Sequence, residues 1–196
     1  MVRKTNTLDE TRNKIVGVAA KIFGKYGFKK TSVDEIAKAA HKAKGTIYYY
    51  FGGKEELFKE VVSSELNHVK DELTRIAREK TDPVSKIKKY MVTRMLLMGH
   101  AVNYHETLKA DILEQLDFVE EIKSDFYRGE TTLVRDMLKE GVDKKIFIPL
   151  DYDMVAELFI MVCKGLEMPF YLQKRYLEYA GRLEELNQML IKAVLR

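Results

Sequence analysis

A chain of 196 residues, 46% apolar and 33% charged, can bury a large core, and this composition excludes an intrinsically disordered polypeptide. No apolar run approaches membrane-spanning length, and the first residues lack a signal-peptide core. A cytoplasmic protein is therefore expected, and a lone Cys163 excludes an internal disulfide framework. The net charge of +4 is unevenly placed: residues 1–54 carry 12 Lys and Arg against 4 Asp and Glu, residues 55–196 carry 22 against 26. A basic head on a mildly acidic body suits a phosphate-binding module joined to a domain with another task. Charge alone is equally compatible with a lysine-rich solvated surface.

Thr7-Leu8-Asp9-Glu10 fits a capping box and predicts the start of the first helix. Ile15, Ala19, Ile22 and Phe23 recur there at helical spacing, and Gly27 is placed to end the helix in a left-handed conformation. Ser32-Val33-Asp34-Glu35 is a second capping box, opening a helix to about Ala40. A short third helix is predicted from about Ala43 to Tyr50, and a long fourth begins at Gly53-Lys54-Glu55-Glu56. Thr81-Asp82-Pro83 starts the fifth. Helical patterns follow near Glu106–Leu116 and Phe118–Glu140, the latter stopped by Gly141, with Lys145–Pro149 as an extended connector. Asp151 or Asp153 caps a helix to about Tyr171, and the last runs from about Arg175 to Arg196. The chain reads as all-α, with about nine helices: a helix-turn-helix head over residues 1–54 and a larger helical domain over 55–196.

Two short helices across a tight break can present the second of them to the DNA major groove. Gly45 lets backbone approach a duplex, Lys44 can reach a guanine edge or a phosphate, and Thr46 can donate, accept or touch a thymine methyl. Tyr48, Tyr49 and Tyr50 point about 100° apart, so they cannot all be buried. Lys54, Thr31 and Ser32 stand at helix starts, where amides favour a phosphate, and Lys42 or His41 adds a candidate phosphate contact. The alternative is that these helix ends are ordinary caps and the tyrosines pack internally.

The segment Phe23–Phe58 resembles the N-terminal domain of the TetR family of bacterial transcriptional regulators. The resemblance rests on Gly27-Phe28, Thr31-Ser32, Ile36-Ala37, Gly45-Thr46-Ile47-Tyr48, Phe51, and Lys54-Glu55 with Leu57. It implies that Lys44, Gly45, Thr46, Tyr49 and Tyr50 face the operator and that Thr31, Tyr48 and Lys54 hold phosphates. It further implies a homodimer, commonly a repressor, controlled by a small molecule bound in the C-terminal domain. The chain departs from the family pattern where Gly-Val-Ser is usual and His41-Lys42-Ala43 stands. His41 must then adopt a conformation better suited to glycine, at a cost of about 1 kcal/mol, and Ala43 removes a hydroxyl cap. Gly53 likewise stands where Ser or Asn usually caps the fourth helix.

Residues 55–196 hold no enzyme motif, and neither a cofactor nor a metal site is expected; His68, His100 and His105 read as structural. Met91, Met95 and Met98 form a stripe that serves a core or an adaptable sensor pocket, with Phe118, Phe126, Tyr127, Phe159 and Met168 as candidate neighbours. Because the stripe lacks buried charge, an uncharged or amphiphilic effector with a sizeable apolar part is expected. Val155, Leu158, Phe159, Val162 and Leu166 give one apolar face, and Leu183, Leu186, Leu190 and Val194 another. Paired across a two-fold axis they would form a four-helix bundle, with Val155, Leu158, Val162, Leu166, Leu183, Leu186 and Leu190 at the dimer interface. The two recognition helices would then meet successive major grooves of a pseudo-palindromic double-stranded operator. The function read from the sequence is a ligand-responsive, dimeric DNA-binding regulator, not an enzyme and not a membrane protein. The alternatives are a regulator controlled by a protein partner and a helical enzyme using its helix-turn-helix only for packing.

Overall fold

The computed structural model describes the backbone of residues 2–113 and 117–196, and the side chains of residues 8–109 and 118–196. Nine α-helices occupy the described residues: α1 Val2–Tyr26, α2 Val33–Ala40, α3 Lys44–Phe51, α4 Lys54–Ala77, α5 Pro83–His100, α6 Val102–Leu113, α7 Glu120–Asp143, α8 Tyr152–Glu167 and α9 Tyr176–Lys192. A 3-10 turn precedes α7 and a π-helical turn, Met168–Leu172, follows α8. No described helix is long and apolar enough to cross a membrane. The helices form two compact units, Met1–Glu65 with Val102–Ile122, and Leu66–Ala101 with Lys123–Arg196.

In the first unit Ile15, Ala19 and Phe23 of α1 are fully buried with Ile36 and Ala40 of α2, Ile47 of α3 and Phe58 of α4. The helix starts at Val2 rather than Thr7, because nothing in Val2–Asn6 breaks it; the Thr7 side chain lies outside the described residues, as do residues 114–116 of the predicted Glu106–Leu116 segment. Gly27 ends α1 at φ 80°, its amide donating to Phe23 O at 2.7 Å. The Ser32–Glu35 box forms as expected: Glu35 N donates to Ser32 Oγ at 3.3 Å and Ser32 N to Glu35 Oε2 at 2.8 Å.

α6 begins at Val102, four residues before the sequence pattern suggests, because the Glu65 carboxylate covers its first amides. Glu65 accepts from Asn103 N at 3.2 Å, Asn103 Nδ2 at 2.7 Å and Tyr104 N at 2.9 Å, and Asn103 Nδ2 also donates to Ala20 O at 3.2 Å. Burial pushes the Glu65 carboxyl above its ordinary value, opposed by these hydrogen bonds. A carboxyl raised on folding contributes stability that is present below its unfolded value and lost as pH rises through the folded one. Glu65→Gln should therefore close part of its melting-temperature gap to the wild type between pH 4.5 and 7. A gap constant across that range would show that Glu65 does not titrate in this window.

In the second unit Asp82 caps α5, accepting from Ser85 N at 2.9 Å, with Pro83 in the first turn. Gly141 does not stop α7, which runs on to Asp143 before Lys145 turns at φ 58°. Its role is spatial: a Cβ at 141 would stand 2.0 Å from Phe147 Cδ2, so the missing side chain makes room for that ring. The predicted extended connector Lys145–Pro149 is extended only in part: Lys145 turns and Ile146 N folds back on Gly141 O at 2.9 Å, after which the chain pairs with the tail, Ile148 N donating to Val194 O at 2.9 Å and Arg196 N to Ile146 O at 3.1 Å. Asp151, accepting from Asp153 N and Met154 N, caps α8, which ends at Glu167. α9 lays Leu183, Asn187 and Ile191 inward, and Asn187 Nδ2 donates to Lys88 O on α5 at 3.0 Å.

Candidate nucleic-acid interface and sensor core

α3 is short, and its two sides differ completely. Ile47 and Phe51 are buried, with α3 packed on α2 and the Arg12 guanidinium of α1 5.3 Å from the Phe51 ring centroid, which fixes the rotation of the helix. The opposite side is presented: Tyr49 is 75% exposed, Tyr48 46%, and Gly45 has open space where a side chain would stand. Tyr50 is half-buried, its ring edge-on to Tyr49 at 5.1 Å, and Thr46 is half-buried. Lys44 is exposed and pairs with Asp34 at 2.8 Å, a solvated contact a phosphate can replace at little cost. His41 takes the left-handed conformation at φ 54°, as its place in the turn requires. Lys42 is half-buried with its amide on Ala37 O, and Ala43 supplies no side-chain cap.

Two expected phosphate contacts turn out to face inward. Thr31 is 3% exposed, and its hydroxyl donates to Gly27 O at 2.8 Å. Lys54 donates to Phe28 O and Thr31 O, both at 3.1 Å, with its ammonium 4.3 Å from the Phe28 ring centroid. The reason is local: the α1–α2 loop leaves carbonyls without helical donors, and these side chains satisfy them. Ser32 stays exposed, but its hydroxyl is engaged by Glu35.

The sensor candidates divide. Met91, Met95 and Met98 are fully buried, Phe126 and Phe159 nearly so, and Tyr127 is half-buried. Phe118 belongs to the first unit instead, where its ring meets Phe28 at 5.4 Å and Phe58 at 6.3 Å, because the 3-10 turn joins that core. Met168 opens the π-helical turn and is 41% exposed, so it lines no core.

The expectation that no charge is buried beside the methionines is overturned. Arg94, one residue before Met95, is fully buried. Its Nε and Nη2 donate to Glu130 at 2.7 and 2.9 Å, and Nη2 also donates to Glu167 at 2.8 Å. Tyr90 donates to Glu130 and Tyr127 to Glu167, both at 3.1 Å. Burial pushes the Glu130 carboxyl up, against the pull of Arg94, and pushes the Cys163 thiol up to about 12, which makes it inert. The cluster was missed because apolar periodicity counts only the apolar positions between which Arg94, Glu130 and Glu167 are set.

On α8 and α9, Leu158 is 51% exposed, and Val155, Val162, Leu166, Leu186 and Leu190 are partly exposed. Leu183 is buried in its own protomer, on the inward row of α9, and is withdrawn from the dimer set. Met154, Met161 and Met189, which the apolar spacing did not single out, are the exposed apolar side chains on these helices beside Leu158 and Leu177.

Two short helices across a tight turn, the second with one side buried and the other exposed, have the arrangement of a helix-turn-helix. The family model for bacterial regulatory proteins of the tetR family matches residues 15–61. The HTH-type transcriptional regulator AcrR of Shigella flexneri is 30% identical over 177 residues, covering 84% of this chain and 79% of AcrR. A transcriptional regulator from Cytophaga hutchinsonii ATCC 33406 shares the fold at TM-score 0.80 and 26% identity, over 93% of this chain and 97% of that one. FadR from Bacillus subtilis, solved in complex with stearoyl-CoA, shares it at TM-score 0.71 and 17% identity, over 91% and 95%. The chain belongs to the TetR family of transcriptional regulators.

Proposed function

We propose that this regulator is a homodimeric repressor that residues 1–54 hold on a pseudo-palindromic operator and that a small, largely apolar effector releases. The observation that carries the reading is the two-sidedness of α3, with Ile47 and Phe51 locked inside while Lys44, Gly45, Tyr48 and Tyr49 stand outside. Lys44 then serves phosphate or guanine, and the tyrosine hydroxyls serve backbone or base edges. Pairing through the outer faces of α8 and α9 covers Met154, Leu158 and Met161, spaced to lie along one side of α8, together with Leu186, Met189 and Leu190. The effector reading is supported by the buried thioethers of the second unit, and by FadR of the same fold holding an acyl thioester with a long apolar chain.

The test is operator binding by Lys44→Ala with Tyr49→Ala, both exposed enough to spare the fold. Affinity should fall about tenfold or more, and the slope of log affinity against log salt should shrink by about one for the lysine removed from each phosphate. Unchanged affinity and slope would remove α3 from the duplex.

A further inference from the structure

The cluster around Arg94 bears on which effector the second unit accepts, and the inference rests on the effector reading above. A guanidinium has five N–H donors in a planar fork. In Arg94, Nε and Nη2 are engaged by the carboxylates of Glu130 and Glu167. Nη1 is different: among the described residues its partner is the Met95 thioether, at 3.7 Å. Sulfur is a weak acceptor, and this nitrogen belongs to a side chain with no exposure at all. The Tyr171 hydroxyl approaches the same sulfur at 3.8 Å while donating to Met95 O at 2.7 Å. Arg94 Nη1 and Tyr171 Oη thus flank one flexible thioether, in the stripe that carries Met91 and Met98.

We propose that Arg94 Nη1 is the polar anchor of the effector site, and that it takes a neutral oxygen acceptor, a ketone or ester carbonyl on an apolar chain, in place of the Met95 sulfur. Charge decides against a carboxylate. One guanidinium already faces two carboxylates, so with both ionised the cluster is one unit negative, and with one protonated it is neutral. Within Arg94, Glu130 and Glu167 neither state leaves positive charge for a ligand anion, and burying another unpaired negative charge is strongly unfavourable. A ligand cation meets a different obstacle. Arg94 Nη1 is a donor on a cation, and an ammonium offers it no lone pair and would stand against a like charge. A carbonyl oxygen needs only to displace a thioether, which rotates readily.

Three probes with a common ten-carbon skeleton separate these cases on the full-length dimer: 2-decanone, decanoate and decylammonium, compared by titration calorimetry and by operator release. The expected result is that 2-decanone binds at least tenfold tighter than either ion. Arg94→Lys, which keeps the charge and removes the fork, should erase that preference. If Arg94→Lys does not fold, the order of the three probes on the wild type decides alone. Equal affinities, or a charged probe ahead, overturn the assignment of Arg94 Nη1, while release of operator by any of the three still supports the effector reading. Failure of all three to bind overturns the assignment too, and release by an unrelated compound in a screen would then leave the effector reading standing without it.

Discussion

Arg94→Ala is expected to destabilise the protein by about 3–5 kcal/mol, because it leaves two buried carboxylates without their shared cation. Glu130 and Glu167 are 1% exposed and cannot turn to solvent without opening the packing of α7 and α8. The loss is a large fraction of the ~5–15 kcal/mol that holds an ordinary domain folded. Replacing Arg94, Glu130 and Glu167 together by apolar residues of similar volume should recover most of it, since three matched desolvation penalties disappear with the charges. Urea unfolding, read as the midpoint at unchanged slope, measures both variants. An Arg94→Ala protein within about 1 kcal/mol of the wild type would mean that the cluster adjusts its protonation at little cost, against the geometry of three ion-paired oxygens.

The second large effect is at Gly141. Helix propensity alone favours alanine there by about 1 kcal/mol, since Gly141 lies inside α7. Packing reverses the sign. The added Cβ would stand 2.0 Å from Phe147 Cδ2 and 2.2 Å from Cε2, and the ring is 1% exposed. Nor can the backbone carry the ring away cheaply: Phe147 N donates to Gly141 O at 3.1 Å, and its neighbours pair with Val194 and Arg196. Gly141→Ala is therefore expected to cost about 2 kcal/mol or more, lowering the melting temperature by roughly 4–8 °C for a chain of this size. In a Phe147→Ala background the same substitution should be neutral to stabilising by up to about 1 kcal/mol, and that double-mutant coupling is the decisive measurement. Additive effects would show that Gly141 and Phe147 do not meet.

Much of this was readable in the residues. The Ser32–Glu35 box, the left-handed Gly27 and His41, and the Asp82-Pro83 start are local chemistry, set by neighbours three or four positions away. The division of α3 was half visible: three consecutive tyrosines cannot share one side, but which of them is covered depends on where α1 and α2 lie. Long-range partners were not legible. Lys54 and Thr31 look like phosphate ligands because helix starts attract anions, yet their neighbours across the loop are carbonyls. Phe118 sits between two helical patterns in the sequence, and only packing assigns it to the Phe28–Phe58 cluster. Gly141 reads as a stop signal by composition, whereas its reason is an aromatic ring six residues on. The Arg94 cluster had a signature after all, since charges at apolar register on α5, α7 and α8 occur in opposite signs that can offset one another. Finding it requires scoring the exceptions to periodicity along with the pattern.

The reading head has a consequence for discrimination between targets. Its formal surplus of positive charge overstates what it offers to an arbitrary duplex, because Arg12 is paired with Glu60 at 2.6 Å and Lys54 is spent on two carbonyls. Fewer condensed counterions are released on random sequence than twelve cations would suggest. The slope of log affinity against log salt on random DNA should accordingly fall short of the value that twelve phosphate contacts would give.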